Sequence, residues 1–468
     1  MSQELLVTTL TENRTQPAAQ PLSYARQSTQ HCRWLAELGQ LLAFPSVSAL
    51  PEQRQDLAAA ADWLARHLAS LGLHDPRVLP GPCGGAPSVY ADWLGAPGRP
   101  TLLCYGHYDV QPAGPRGEWA SPPFRATRQG HHLVARGASD DKGQLFIHLK
   151  AIESYLATDG RLPLNIKVWL EGEEELGSPN LVAFLDREAM RLRADAVLVS
   201  DTEMPAPHQP SIVYGLRGQL ALDIDVQSAR HDLHSGRYGG AVLNPLQVLC
   251  ELVAGLHDSR GRITVSGMYT RVRTVEADER QRLRRQRRFD QDLTGWGEPG
   301  YSAFERTIIR PALIVQGIAG GNTGSASPAV IPRRAQARLS VRLVPDQEPA
   351  EIGRLLVRHL TAAAPRAVRL QATVAGGSRP VLVSPRHPAM RAAARAVRAA
   401  WGVPPVLTRS GGTIPIVDQL HRRLGVPVVL MGFGLPGDNI HAANERLSLP
   451  HFFRGIETIV RFFAEYAT

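Results

Sequence analysis

A histidine and an aspartate stand two positions apart at the end of an apolar stretch. The segment TLLCYGHYDV predicts a buried strand, and His107 and Asp109 lie at its polar end. In an extended chain, side chains two residues apart point to the same side, so Asp109 could hold or orient the imidazole of His107. A histidine oriented in this way by a carboxylate is well suited to bind a metal ion.

Further carboxylates and a second histidine follow other predicted elements. RGASDDKG stands in a turn before a helix, EGEEELGS follows the strand LNIKVWL, SDTE follows ADAVLVS, and PGDNIHAANE follows VPVVLMGF. The candidate ligands in these motifs are Asp140, Asp141, Glu174, Glu175, Asp201 and His441. In open α/β sheets, sites form outside the carboxyl ends of the strands, so these side chains should converge.

Each motif also has a purely structural explanation. Asp140 and Asp141 could cap the helix that follows them, and a run of glutamates is often a solvated face. Several carboxylates gathered at one sheet edge, however, repel one another unless a cation neutralises them. Two histidines with several carboxylates suit zinc or manganese rather than calcium or a metal that prefers thiolates. Together the motifs indicate a metal centre.

The elements that must position these residues alternate between helix and strand. Helical periodicity covers residues 32–42, 57–71 and 142–156, and the strands named above lie after or between these segments. This alternation predicts a layered α/β fold. After about Ser211 the segments ALDIDV and ARLSVRLV alternate in polarity, which predicts an antiparallel sheet. After about Ser384 the α/β pattern returns.

We therefore expect an α/β fold in which a layered α/β domain is interrupted by an α+β domain. Residues 1–25 are predicted to form a polar N-terminal tail. Residues 26–211 and 384–468 would form the catalytic, metal-binding domain. Residues 212–383 would form the inserted domain.

The composition is that of a soluble globular protein, with 43% hydrophobic and 20% charged residues. Lysine and arginine (52) exceed aspartate and glutamate (43) by nine, which raises the alternative of a polyanionic partner. The one basic cluster, residues 282–288, has no interleaved aromatic residues to stack on bases, so we expect no nucleic-acid partner.

Membrane and secretion signals are not evident in the sequence. The N-terminus has no basic segment followed by an apolar one, and no stretch approaches the ~18 apolar residues of a membrane span. The four cysteines are scattered without a CxxC pair, so a disulfide framework is not expected. These features predict a protein of the reducing cytoplasm without a membrane partner.

Eight motifs, in order and spacing, resemble those of the cytosolic carnosinase-like dipeptidases. They are GHYDVQP, ARGASDDKGQ, EGEEELGS, SDTE, DLHSG, VRLVP, SGGTIPI and HAANE, and the resemblance runs from about residue 35 to the C-terminus. These dipeptidases belong to the superfamily of di-zinc aminoacylases, bacterial dipeptidases and carboxypeptidase G. The resemblance implies a phosphorylase/hydrolase-like layered catalytic domain, and an inserted lid domain that also mediates formation of a homodimer.

The resemblance also implies a set of metal ligands. It implies two divalent metal ions per subunit, zinc first, with manganese or cobalt as alternatives. His107 and Asp201 would complete one metal site, Glu175 and His441 would complete the other, and Asp140 would bridge both ions. In this family the peptide bond between the residues that match Asp140 and Asp141 is typically cis.

Other residues receive catalytic and substrate-binding roles from the same resemblance. Glu174 would be the general base, and Asp109 would support His107. His234, in HDLHSG, resembles a histidine that stabilises the oxyanion in the other subunit's active site. Arg342 resembles the residue that binds the substrate carboxylate, which suits a planar two-pronged donor. The SGGTIPI motif adds Gly412 and Thr413 as substrate contacts.

Two positions depart from the carnosinase-like pattern on the substrate side. Ala329 stands where the family usually has threonine, and Ala375 where it often has histidine. We therefore expect a metal-dependent hydrolase of dipeptides or small peptides with a free C-terminal carboxylate, without special preference for carnosine. An N-acyl amino acid or carbamoyl amidohydrolase on the same scaffold is the alternative. A non-catalytic binding protein would require the loss of the base or a ligand, and the sequence retains all of them.

Overall fold

The computed structural model of the protein describes residues 18–286, 296–324 and 329–468. Within these ranges the helices are α1 (Ala19–Ala25), α2 (Ser28–Leu42), α3 (Arg54–Ser70), α4 (Lys142–Asp159), α5 (Leu181–Glu188), α6 (Ser235–Tyr238), α7 (Pro245–Ala254), α8 (Ala277–Arg284), α9 (Ala303–Ile308), α10 (Pro349–Ala363), α11 (Pro388–Trp401), α12 (Pro415–Leu424) and α13 (Leu449–Tyr466). The strands are β1 (His74–Leu79), β2 (Ser88–Trp93), β3 (Thr101–His107), β4 (Thr127–Gln129), β5 (His132–Val134), β6 (Asn165–Glu171), β7 (Ala196–Val199), β8 (Ser211–Leu216), β9 (Gly218–Gln227), β10 (Leu233–His234), β11 (Ala312–Gly320), β12 (Val330–Ile331), β13 (Arg334–Leu343), β14 (Arg369–Ser378), β15 (Val381–Leu382), β16 (Val406–Ser410), β17 (Val428–Leu430) and β18 (Arg446–Ser448).

A mixed sheet forms the centre of the larger layered unit. Its strands follow the order β1-β2-β6-β3-β7-β17-β8-β15, and β16 pairs with β8. Strand β3 is parallel to both β6 and β7, and β17 is parallel to β7. Four neighbouring strands therefore end at the same edge, which is the edge where the sequence analysis expects the site.

Helix α4 packs on this sheet, and almost every side of the helix is buried. It packs against β3 and against α1, α2 and α13. The sequence predicts an apolar side built from Leu145, Leu149, Ile152 and Leu156, yet the opposite side, including Lys150, is buried as well. Lys150 is accommodated by ion pairs with Glu37 and Glu153. Burial of a charged side chain on this scale requires such partners.

The predicted N-terminal tail, residues 1–25, is partly helical. Residues 1–17 lie outside the described part of the chain, whereas Ala19–Ala25 form α1. Leu22 and Ala25 are buried in the main core, where α1 packs on α4. Two apolar residues in a short polar segment were too weak a periodic signal to predict this helix.

A separate antiparallel sheet forms the inserted unit, in the order β11-β13-β9-β14. It has its own hydrophobic core, to which α7 and α10 contribute Leu249 and Leu356. The chain passes from the large sheet to this one between Leu216 and Gly218, and it returns between Ser378 and Val381. The predicted α/β fold with an inserted α+β unit is confirmed, while the predicted domain limits stay a prediction.

Other predicted surface features can be located in the described residues. Within them, no helix combines the length and apolar character needed to cross a membrane. All four cysteines are free thiols. Of the basic cluster, Arg284 forms an ion pair with Glu305, while Arg287 and Arg288 lie outside the described residues.

Candidate metal centre

His107 ends strand β3 and is completely buried. Its Nδ1 lies 3.0 Å from the backbone carbonyl of Asp109, and its Nε2 lies 3.0 Å from Oδ1 of Asp140. The second nitrogen is also 4.0 Å from Oδ2 of Asp201, which follows β7. One side of the imidazole is thus held by the backbone, while the other faces two carboxylates, as in a metal ligand with an oriented ring.

Asp140 joins two groups of potential metal ligands. One group is His107, Asp140 and Asp201, and the other is Asp140, Glu175 and His441. Nε2 of His441 lies 3.0 Å from Oδ2 of Asp140 and 3.2 Å from Oε2 of Glu175. Within each group, one ligand atom per residue lies within 4.8 Å of the others. The resemblance of the sequence motifs implies this same division of ligands, with Asp140 in both groups.

The two aspartates before α4 do not cap the helix with their side chains. Asp141 occupies the N-cap position, but its side chain makes no capping hydrogen bond. One of its oxygens accepts the backbone N–H of His107 at 3.2 Å, and the other has no partner among the described residues. The peptide bond between Asp140 and Asp141 is cis, as the sequence analysis expects. The capping interpretation is therefore wrong.

Asp109 holds the turn that carries both candidate glutamates. Its Oδ1 accepts the backbone N–H of Glu174 and its Oδ2 that of Glu175, each at 3.1 Å. Ser48 donates its hydroxyl to the same Oδ2 at 2.7 Å. Asp109 was predicted to orient His107, and it contacts Nδ1 of that ring through its backbone carbonyl at 3.0 Å and through its Oδ1 at 3.5 Å. Its carboxylate also fixes the position of the glutamate pair.

The carboxylate of Glu174 makes no hydrogen bond or ion pair with any described residue, although it is close enough to His107, Asp140 and Asp201 to interact electrostatically. Glu174 belongs to neither group of potential ligands. Burial raises the pKa of Glu174 well above its usual value, and the surrounding carboxylates add to this effect against the opposing influence of His107. A carboxylate in this setting is free to exchange a proton with a small molecule bound nearby.

The electrostatics of the cluster show an excess of negative groups. Burial and the charge of Asp140 raise the pKa of Asp201 to about 7. Hydrogen bonds to Asp140 and Glu175 raise the pKa of His441 to about 10. Although burial opposes the effect, hydrogen bonds from both histidines keep the pKa of Asp140 below its usual value. Negative groups crowded in this way favour the binding of divalent cations, which would displace protons from these side chains.

The donor set fits divalent cations. Imidazole nitrogens and carboxylate oxygens in two groups of three, with one shared carboxylate, are the ligands that zinc and similar metals use. Gln111 adds a second layer, since its Nε2 donates to Oε2 of Glu175 at 2.8 Å. Residues with this supporting role are common around metal ligands.

Glu445, which was not predicted from the sequence, connects the loop of Asp140 to the loop of His441. Glu445 is buried and lies four residues after His441 in HAANE. Its Oε1 accepts the backbone N–H groups of Ser139 at 2.9 Å and Asp140 at 3.0 Å. Its Oε2 accepts from Arg136 at 2.8 Å and from the backbone of Gly137 at 2.9 Å. Its place inside a matching motif was the one signal that could have revealed it.

Gln144 was missed for the same reason. It ends the motif ARGASDDKGQ and lies in the first turn of α4. Its Nε2 donates to the carbonyl of Ser139 at 3.0 Å, and its Oε1 accepts the backbone N–H of Phe433 at 2.7 Å. The side chain therefore links the Asp140 loop to the segment after β17.

Two of the three predicted substrate contacts touch each other. Nη1 of Arg342, on β13, donates to Oγ1 of Thr413 at 3.0 Å. The hydroxyl of Thr413 in turn donates to the carbonyl of Arg217 at 2.7 Å. Gly412 is exposed next to Thr413, and its N–H donates to Ser410 Oγ at 3.0 Å.

The contacts of His234 do not include the candidate metal ligands among the described residues. It ends β10, which pairs with β12 in a two-stranded sheet, and it is exposed. Its Nδ1 accepts the backbone N–H of Gly236 at 3.1 Å. In the part of the chain that the structure describes, His234 makes no hydrogen bond or ion pair with the candidate metal ligands. The structure of a single chain does not bring it to them.

Comparisons with known proteins find dipeptidases among the sequences that are similar to this chain. The sequence is 30% identical over 454 residues to the Cys-Gly metallodipeptidase DUG1 of Candida albicans, covering 91% of this chain and 93% of the relative. It is 30% identical over 445 residues to human Beta-Ala-His dipeptidase, covering 90% and 87%.

Solved structures show the same fold. The M20 family metallo-carboxypeptidase Sso-CP2 from Sulfolobus solfataricus is 31% identical, with a TM-score of 0.80 over 93% of this chain and 99% of the other. Human carnosine dipeptidase 1 is 28% identical, with a TM-score of 0.77 over 96% and 98%. Residues 103–465 match the profile of Peptidase family M20/M25/M40, and the chain belongs to this family.

Proposed function

We propose that this protein is a metal-dependent dipeptidase that hydrolyses dipeptides and other small peptides with a free C-terminal carboxylate. The observation that carries the proposal is the pair of ligand groups that share Asp140. This arrangement would hold two ions side by side over one substrate bond. Membership of a peptidase family and the dipeptidase activities named for the relatives support the same conclusion.

In this proposal His107 and Asp201 would hold one ion, Glu175 and His441 would hold the other, and Asp140 would contribute to both sites. Zinc is the first choice for this donor set, with manganese or cobalt as alternatives. Two such ions would supply a water of lowered pKa and a Lewis acid for the scissile carbonyl. The protein's own contribution is to keep the ligands in place through Asp109 and Glu445.

Glu174 acts as the general base in this scheme. Its carboxylate is free of protein partners in the described chain and faces the ligand cluster from the turn held by Asp109. It accepts a proton from the attacking water and delivers it to the leaving nitrogen. Burial favours the neutral form of the Glu174 carboxyl, which suits the second of these steps, since a protonated carboxyl can donate.

The substrate carboxylate is recognised by Arg342, with Thr413 and the exposed backbone of Gly412 beside it. A guanidinium can donate two parallel hydrogen bonds to a carboxylate. The carboxypeptidase relative, at 31% identity, favours a second candidate activity, removal of single residues from the C-terminus of longer peptides. Both activities require the same recognition of a terminal carboxylate.

We further propose that the protein works as a homodimer in the cytoplasm. Strand β11 is an edge of the small sheet, and its Ile314, Val315 and Ile318 are each at least 40% exposed. An apolar edge strand is a natural surface for pairing with a second copy. In a homodimer, His234 would serve the metal centre of the other subunit. Among the described residues it contacts no candidate ligand of its own chain.

The test is hydrolysis of a substrate panel by metal-stripped enzyme to which zinc, manganese or cobalt is returned. The panel contains dipeptides (Cys-Gly, carnosine and Ala-Ala), a tripeptide, N-acyl amino acids and N-carbamoyl amino acids. We expect metal-dependent cleavage of several dipeptides. Hydrolysis of the acyl or carbamoyl compounds alone would contradict the dipeptidase assignment and favour the amidohydrolase alternative.

A further inference from the structure

Three of the four buried arginines in the described chain are neutralised by a carboxylate. Arg136 pairs with Glu445, Arg310 pairs with Glu298, and Arg409 pairs with Glu279. A buried guanidinium normally has such a partner because desolvation of an unpaired charge is costly. The fourth, Arg217, is 8% exposed and forms no ion pair with any described residue.

Arg217 lies where the chain passes from the large sheet to the small one. Its Nε donates to the carbonyl of Gly411 at 3.0 Å, and its Nη1 lies 3.5 Å from the carbonyl of Arg310. Its Nη2 makes no hydrogen bond to a described group. A carbon atom added to Gly411 would lie 3.2 Å from this Nη2, so the nitrogen lies against the backbone that leads to Gly412 and Thr413.

A second cation faces Arg217 instead of an anion. Burial and the positive charge of Arg342 lower the pKa of Arg217 to about 10. Thr413 connects the two residues, since it accepts from Arg342 and donates to the carbonyl of Arg217. Arg342 likewise has no carboxylate partner among the described residues, and burial lowers its pKa. Two partly desolvated guanidinium groups near each other repel, and an anion bound to both would offset the repulsion and the desolvation cost.

We propose that Arg217 and Arg342 together bind the C-terminal carboxylate of the substrate, which makes Arg217 a second specificity-determining residue. This inference rests on the proposed peptidase function, because the anion is the substrate's own terminus. Arg342 approaches from the small sheet, and Arg217 from the connection between the sheets. A carboxylate between two guanidinium groups is held more firmly than by one, and an uncharged amide leaves both cations unpaired.

The test compares kcat/KM for two enzymes on two substrates, in the manner of a double-mutant cycle. Wild type and Arg217→Gln are assayed on a free dipeptide and on the same dipeptide with an amidated C-terminus. In wild type, amidation should lower kcat/KM about tenfold or more. In Arg217→Gln, activity on the free dipeptide should fall through KM, and the amidation penalty should shrink at least fivefold. An unchanged penalty would mean that Arg217 supports only the fold, and the proposal would be wrong.

Arg310→Gln is the matched control, because it removes a buried arginine whose charge is already neutralised by Glu298. Its amidation penalty should equal that of wild type. If Arg217→Gln does not fold, Arg217→Lys keeps the charge but loses the two-pronged geometry, and it should show an intermediate penalty. A penalty in Arg217→Lys equal to that of wild type would overturn the proposal.

Failure of the proposed function has a different signature. Wild-type enzyme that cleaves no peptide with any added metal would overturn the peptidase assignment and this inference with it. Wild type that cleaves the free dipeptide and the amide equally well would leave the peptidase function intact and overturn the carboxylate site alone.

Discussion

Oδ1 of Asp109 lies 3.1 Å from the backbone nitrogen of Glu174, so one buried carboxylate fixes the turn that bears the proposed base. The same residue contacts the ring of His107 through its carbonyl oxygen. Asp109 therefore couples the position of a metal ligand on β3 to the position of the base after β6. A small change at this residue should affect both.

Replacement of Asp109 by asparagine should lower activity about 10- to 100-fold, the usual range for residues that support metal ligands. The amide can accept only one of the two backbone N–H bonds, and its NH₂ group would face the other. Metal content and kcat should be measured together. Asp223→Asn, at an exposed position of β9, is the control and should match wild type. Full activity in Asp109→Asn would contradict the coupling.

The two neighbouring glutamates should respond differently to the same substitution. Glu174→Gln should retain both metal ions and lose ~10²–10⁴-fold in turnover, because proton transfer by a positioned carboxylate contributes on this scale. Glu175→Gln should instead weaken metal binding, since its Oε2 lies 3.2 Å from Nε2 of His441 in the second ligand group. Metal analysis and kcat on the same samples check this. The reverse pattern would exchange the two roles.

The positions of the proposed ligands could be predicted because they depend on local sequence. Four of the five lie at or after the end of an apolar strand, and parallel strands bring their carboxyl ends together whatever else the fold contains; Asp140 instead lies in the turn before α4. His107 and Asp201 are brought together by the pairing of β3 with β7. Helix α4, predicted over residues 142–156 and observed over Lys142–Asp159, was also located, because its apolar periodicity is a local signal.

Residues that act through distant backbone groups could not be assigned from sequence. Glu445 binds the N–H groups of Ser139 and Asp140, which lie about 300 positions earlier in the chain. Nothing near Glu445 indicates that contact. The burial of Lys150 in α4 was missed similarly, since it depends on which helices cover the outer side of α4. Periodicity reveals one apolar side of a helix but not the burial of both.

Glu445→Gln should destabilise the metal-free protein by about 3–5 kcal/mol, because it leaves Arg136 as an uncompensated buried charge. It should also weaken metal binding, because the amide keeps one acceptor oxygen and its NH₂ group would face the N–H donors either of the Asp140 loop or of Arg136 and Gly137. Urea unfolding and metal titration measure the two effects. Glu298→Gln breaks a comparable ion pair with Arg310 and should destabilise without changing metal affinity. Equal metal affinities in both variants would show that Glu445 has no positioning role.

Metal affinity should depend on pH because the cluster binds protons when no cation is present. Asp201, with its pKa raised to about 7, is protonated below that pH and must then release a proton to bind metal. His441, with its pKa raised to about 10, releases one throughout the neutral range. A plot of log affinity against pH should therefore rise with pH, with a slope steeper by about one below pH 7. Zinc titration in a chelator buffer measures this, and a constant slope would contradict the pKa of Asp201.

The last prediction concerns His234 and the proposed homodimer. If His234 serves the active site of the other subunit, His234→Ala and Glu174→Gln protomers are each inactive alone but complement each other when mixed. One site of the mixed dimer would combine an intact base with an intact histidine. With equal mixing, half of the dimers are mixed and each has one intact site, so about a quarter of wild-type activity should return.

Subunit exchange is verified in the same experiment with one protomer carrying a mass tag. Mixing Glu174→Gln with Glu175→Gln is the control, because both substitutions lie on the same turn and the mixed dimer has no intact site. That mixture should stay inactive. Recovery in the first mixture and none in the second supports a histidine acting across the interface. Absence of recovery despite verified exchange would place the function of His234 within its own chain, because a residue supplied by the partner must be rescued by an intact partner.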